Sequence, residues 1–136
     1  MTWSHFSHDA DLGLRGSGRS KARAFEQIAM ALTAAVTDPD SVIAEKSISL
    51  FCEAPSDELL LVDWLNTLIY EMAVRKMLFR EFSVTITAGV LQAEVKGEPV
   101  NRGKHHPAVE VKGATYTALA VEQTNEGWLV QCVVDV

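Results

Sequence analysis

Hydrophobic positions fall into two helical stretches set among shorter runs of period two. In the first stretch Phe25, Ile28, Ala29, Leu32 and Val36 recur at intervals of one, three and four, the spacing that lines one face of an α-helix. Ser20 stands at the N-cap position. Lys21, Arg23, Glu26 and Gln27 supply a wetter side, and Thr37-Asp38-Pro39-Asp40 ends the run because proline cannot continue it. The second stretch opens at Ser56, with Asp57 and Glu58 in the first turn, where the helix dipole favours negative charge. Leu61, Leu65, Leu68 and Met72 line one face. Val62, Ile69 and Ala73 widen it, which predicts the more buried of the two helices. Trp64 lies beside this stripe, while Asp63, Asn66, Thr67 and Tyr70 form a polar face expected to be solvated.

Elsewhere the period is two. Trp3 to His8 alternates weakly, Leu12 to Arg15 alternates better, and Gly16-Ser17-Gly18 reads as the closing turn. Asp9 and Asp11 fall between these runs. Ile48, Leu50 and Cys52 alternate with Ser47, Ser49 and Phe51, so Ala44 to Glu53 reads as a strand. Phe79, Phe82, Val84 and Ile86 lead to Ala88-Gly89, and Leu91, Ala93 and Val95 continue as the second strand of a hairpin. Asn101 to His106 is a polar loop, and Val109 to Lys112 is short and extended. Thr115 to Val121 and Trp128 to Val134 predict another hairpin about Thr124-Asn125-Glu126-Gly127. Two helices among hairpin-joined strands predict an α+β fold, a single domain over residues 1–136. The helices would cover one face of a mostly antiparallel or mixed sheet.

Composition narrows the function. A chain of 136 residues, 48% hydrophobic and 22% charged, suits one globular core. Its net charge of −6 argues against an electrostatic grip on nucleic acid, which needs an excess of Lys and Arg. No direct, sequence-specific nucleic-acid binding is expected. The same charge suits a cation or a basic protein surface. Cys52 and Cys132 sit in apolar, strand-like runs and are expected to be small buried hydrophobes. The first residues lack the basic-then-apolar order of a signal peptide. No apolar run reaches the ~18 residues of a membrane helix. A cytoplasmic location with no membrane contact is therefore expected.

The candidate chemistry lies at the two ends. Asp9 and Asp11 sit two apart in His8-Asp9-Ala10-Asp11-Leu12-Gly13, Asp135 is the penultimate residue, and Val136 carries the terminal carboxylate. Hard cations such as Ca²⁺ or Mg²⁺ take oxygen ligands of this kind. A fold that joins the two ends would assemble a metal site, whereas turn acids and a solvated tail are the plain alternative. The last strand runs to the terminus, so Asp135 is expected on a sheet. His8 and Asp11 form a candidate acid–base pair, but no activated nucleophile stands beside them. His105-His106 is a poor chelate, since adjacent side chains of an extended chain point apart, and the pair reads as ordinary loop histidines. Gly13, Gly16 and Gly18 match neither phosphate-binding spacing. Lys112, at a strand edge, is expected to be solvated or paired with an acid.

Taken in order, these segments resemble the archease family. His8-Asp9-Ala10-Asp11-Leu12-Gly13 is similar to the family's opening His-Thr-Ala-Asp-Ile-Gly. The stretch from Leu60 to Tyr70 resembles its central helix, and Phe79-Arg80-Glu81-Phe82 follows. Gly97-Glu98, Lys104-His105, the run from Glu110 to Tyr116, Trp128 and the terminal Asp135 complete the likeness. The resemblance implies a non-catalytic accessory protein of the RtcB-type RNA ligase in tRNA splicing and RNA repair, one that promotes ligase guanylylation and multiple turnover. It also implies a metal site at Asp11, Asp135 and Val136, holding Ca²⁺ or another hard divalent cation, with Lys112 on the surface that meets the ligase. Two departures stand out: Asp9 replaces the usual Thr, and Thr117 stands where the family commonly has His. The competing readings are a chaperone-like protein-binding module and a small metal-dependent hydrolase using cation-bound water near His8.

Overall fold

The computed structural model describes all of residues 1–136 and has an α+β architecture with two antiparallel sheets. In chain order the elements are β1 (Thr2–His8), β2 (Asp11–Gly18), α1 (Lys21–Val36), β3 (Lys46–Glu53), α2 (Asp57–Arg75), β4 (Met77–Thr87), β5 (Val90–Pro99), α3 (Arg102–His105), β6 (Gly113–Ala114), β7 (Ala120–Thr124) and β8 (Gly127–Asp135). One 3-10 turn, Pro39–Ser41, follows α1. The larger sheet runs β1-β2-β8, with β6 and β7 both on the far edge of β8; the smaller sheet is β3-β5-β4.

The two long helices form where capping and periodicity place them. Ser20 Oγ accepts the Arg23 N–H at 3.1 Å and Ser56 Oγ accepts the Leu59 N–H at 3.2 Å. Helix α2 ends at Lys76, which takes the left-handed conformation at φ 52°. Trp64 is completely buried, and its indole N–H donates to the Phe25 carbonyl at 3.0 Å, tying α2 to α1. Helix α1 lies against β2 and β4 and thereby joins the two sheets. It reaches β2 across Gly16, where even a methyl group would come within 2.5 Å of the Ile28 backbone nitrogen. On its other side it occupies the free edge of β4. Val84 donates its N–H to Glu26 and accepts from Arg23, and Thr33 donates to the Phe79 carbonyl. Those bonds satisfy an edge that would otherwise invite another strand. A single cluster of 28 buried residues fills the space between sheets and helices, and both cysteines lie in it.

Several local expectations are revised. The strands divide into two sheets rather than one. Asp11 is the first residue of β2, not part of the preceding irregular stretch, and Gly16 to Gly18 continue that strand instead of closing it. Residues 115–119 lie outside the last hairpin, which begins only at Ala120. Val109 to Lys112 forms no strand of its own and meets β8 only through the Lys112 N–H. The loop at Asn101 contains the single turn of α3, capped by the Asn101 side chain on the Lys104 N–H at 3.1 Å. The polar face of α2 is not wholly solvated, because Asn66 accepts the Ala114 N–H at 2.9 Å.

Candidate functional site

The two chain ends meet on β2 and β8. Leu12 pairs with Val134, and continuing that antiparallel register one step brings Asp11 opposite Asp135. Opposed residues on neighbouring strands have Cα atoms about 5 Å apart and share a face of the sheet. The face follows from burial. Leu14, Cys132, Val130 and Val134 point into the core. Asp11 and Asp135 therefore lie on the other face, which Gly13, Arg15 and Gln131 also line. There Arg15 donates to the Gln131 side chain at 2.9 and 3.1 Å. The Phe6 ring covers Gly13 and receives the Arg15 guanidinium 4.5 Å from its centroid.

Two further strands complete this corner. His8 pairs with Asp11 across the first hairpin, whose turn holds Asp9 at φ 51°. Gly113 pairs with Asp135 on the opposite edge, and the Lys112 N–H donates to the Asp135 carbonyl at 2.8 Å. Asp11 and Val136 are half-buried, whereas Asp135 and Lys112 are exposed. Neither Asp11 nor Asp135 forms an ion pair, and the one contact of this sort nearby joins His8 to Asp9 at 3.9 Å. Nowhere do three or more His, Cys, Asp or Glu side chains group as metal ligands. The set at this corner is different in kind, being two aspartates and the main-chain carboxylate of Val136. Its donors are all oxygen, which fits a hard cation and not a thiophilic one.

A second acidic centre lies at the end of β5. Glu98 is 8% exposed. Its carboxylate accepts the Ile43 N–H at 2.7 Å, Lys104 Nζ at 2.8 and 3.0 Å, and His105 Nε2 at 3.0 Å. The opposite ring nitrogen of His105 accepts the Asn101 N–H at 2.9 Å, so the ring proton sits on Nε2 and points at Glu98. The Lys104 ammonium leads these donors in holding the Glu98 carboxyl down at about 2, against an ordinary 4.5. The Thr37 hydroxyl donates to the His105 carbonyl at 2.6 Å, fastening the loop to the end of α1. His105 is thus no ordinary loop histidine, while its neighbour His106 points into solvent in the left-handed conformation. The usable signal was Glu98 followed six residues later by Lys104 and seven later by His105, with Asn101 as a cap between them.

The model of the Archease protein family (MTH1598/TM1083) matches residues 3–136. The chain belongs to the archease family. Among curated relatives, the "Protein archease" of Pyrococcus furiosus is 32% identical over 139 residues, and that of Pyrococcus abyssi 33%. In both cases 98% of each chain is covered. Two solved archease folds agree with the architecture. The solution structure of Methanobacterium thermoautotrophicum protein 1598 aligns with a TM-score of 0.81 at 21% identity, covering 98% of both chains. The Thermotoga maritima crystal structure of an archease, "possible chaperone", aligns with a TM-score of 0.61 at 16% identity, covering 96% of this chain and 94% of that one.

Within this archease the residues singled out by sequence fall at one corner. Asp11 and Asp135 share a sheet face, Val136 follows directly, and Lys112 reaches the same place through its backbone. The Lys112 side chain pairs with no acid. Thr117 is exposed, and its carbonyl accepts the Val133 N–H on the edge of β8 at 3.2 Å. No helix is long and apolar enough to cross a membrane.

Proposed function

We propose that this archease is a non-catalytic accessory protein of an RtcB-type RNA ligase in the cytoplasm. In this reading Asp11, Asp135 and the Val136 carboxylate hold a hard divalent cation, Ca²⁺ in the first instance, and Lys112 lies on the surface that meets the ligase. The observation that carries it is the β2–β8 register, which sets Leu12 opposite Val134 and so leaves Asp11 and Asp135 as the next residues on adjacent strands, beside the chain terminus, in a chain whose family is established. Both side chains are free of internal partners, so their charge is available to a cation or a basic surface. The chain's −6 charge is consistent with docking on a basic protein and not with gripping RNA alone.

Ligase guanylylation and multiple turnover, measured with and without this protein, test the proposal. Wild type is expected to raise both, and Asp135→Ala to lose most of that effect while leaving the fold intact. Unchanged stimulation by Asp135→Ala would remove the role of the corner. Stimulation by neither protein would remove the ligase.

A further inference from the structure

A groove of about 730 Å³ opens between the C-terminal half of α2 and the stretch that follows α3. Ile69, Met72, Met77, Leu78 and Val111 give it a mostly apolar lining. Met72, half-buried, makes that wall adaptable in shape, and the buried Met77 forms the floor beneath it. What borders the groove narrows the choice of occupant.

One border is main chain. The Ala108 N–H donates to Val36 and the Lys112 N–H to Asp135, but the N–H and C=O groups of Val109, Glu110 and Val111 between them have no partner in the chain. No helix or turn interrupts residues 107–112. Unpaired backbone groups beside an apolar groove are a template for an added strand. The other border is charge. Lys76 and Arg102 line the groove and neither forms an ion pair, against the single acid Glu110. The groove therefore carries surplus positive charge in a chain whose net charge is −6. An alkyl carboxylate would answer the lining and the charge but leave the main-chain groups unpaired. A peptide answers all three.

We propose that this groove docks an extended acidic segment of a partner protein. The segment adds as a strand along Val109 to Val111, seats apolar side chains over Met72 and Met77, and sets a carboxylate against Lys76 and Arg102. This goes beyond the ligase reading and does not depend on which protein the partner is. Neither Asp11 nor Asp135 lines the groove, and their corner favours a cation or basic groups instead.

The test uses the full chain and an acetylated, amidated hexapeptide of alternating valine and glutamate, followed by amide NMR shifts. Saturable shifts are expected at Val109, Glu110 and Val111, and a valine–lysine hexapeptide is expected to give none. Arg102→Glu should weaken binding about threefold, the size of an exposed ion pair, and Arg102→Lys should restore it. Equal binding of the lysine peptide, or shifts confined to other surfaces, would overturn the proposal. So would binding of decanoate in the groove where the peptide fails to bind.

Discussion

The Asp11–Asp135 corner and the Glu98 centre use the same functional group in opposite ways. Glu98 is buried, and Ile43, Lys104 and His105 all donate to it. Asp11 and Asp135 lie at the end of a sheet with no donor on either carboxylate. A carboxylate whose lone pairs are filled by its own chain serves the fold. One left open at a surface adds nothing to the fold and keeps its charge for something outside. Stability should therefore depend on the first, and ligand response on the second.

The largest effect should come from removing Glu98. Glu98→Ala leaves the buried His105 N–H and the Ile43 N–H without acceptors and strands the Lys104 charge. Each lost acceptor costs about 1–3 kcal/mol, so a total near 3 kcal/mol is expected, a fall in Tm on the order of 10 °C for a chain of this size. Asp135→Asn should change Tm by about 1 °C or less, as exposed polar substitutions do. Thermal unfolding of the two variants side by side checks the contrast, and equal losses would erase it.

Cation response should show the reverse order. With Ca²⁺ at 100 times its dissociation constant, binding to the folded state alone stabilises by about 2.7 kcal/mol. Wild type and Glu98→Gln should both gain Tm on adding Ca²⁺, whereas Asp11→Asn and Asp135→Asn should gain little. A Ca²⁺ shift that survives Asp11→Asn would place the ion elsewhere.

Acid titration separates the two regions more finely. The folded Glu98 carboxyl is held at about 2, below its ordinary 4.5. Its contribution is therefore present above 4.5 and is lost as pH falls from 4.5 through about 2. The urea midpoint of wild type should fall more steeply than that of Glu98→Gln across this window. Glu26 works in the other direction, because burial raises its carboxyl, an effect only partly offset by the Val84 N–H and Arg23. Its ionised form costs stability, and the cost is relieved as pH drops through the raised value.

Much of this contrast was legible in the sequence, though unevenly. Ser20, Ser56 and the apolar spacing placed both long helices, because capping and periodicity are local. The division into two sheets was not legible, since alternation marks a strand without naming its neighbour. Long-range strand pairing, which no local pattern encodes, puts β8 between β2 and β6, and with it Asp135 beside Asp11. The carboxylates of the corner were legible as candidate cation ligands from residue type and position alone, Asp11 beside Asp9 near one end and Asp135 next to the other. The Glu98 centre was less legible as chemistry, because Ile43 is far away in sequence and the turn of α3 that swings Lys104 and His105 back onto Glu98 has no apolar period to mark it. Residues 115–119 misled for a related reason. Their alternation is strand-like, yet the chain binds β8 there through isolated contacts, the Thr115 N–H to Val133 and the Val133 N–H to Thr117.

The smallest expected effect concerns Asp9, the acid next to His8 in the first hairpin. Asp9 turns the first hairpin at φ 51°, in the left-handed region that aspartate tolerates and a β-branched residue does not. Its side chain is 94% exposed, so the substitution has little packing to disturb. Asp9→Thr should then destabilise by about 1 kcal/mol through backbone strain alone. Asp9→Gly, which removes the same charge without that strain, should be neutral or slightly stabilising. If Asp9 also adds to the field at Asp11, both variants should weaken Ca²⁺ equally despite their different stabilities. If it serves only the turn, Asp9→Gly should bind Ca²⁺ as wild type does. Calorimetric titration of the pair distinguishes the two roles, because charge is lost in both variants and strain is introduced in only one.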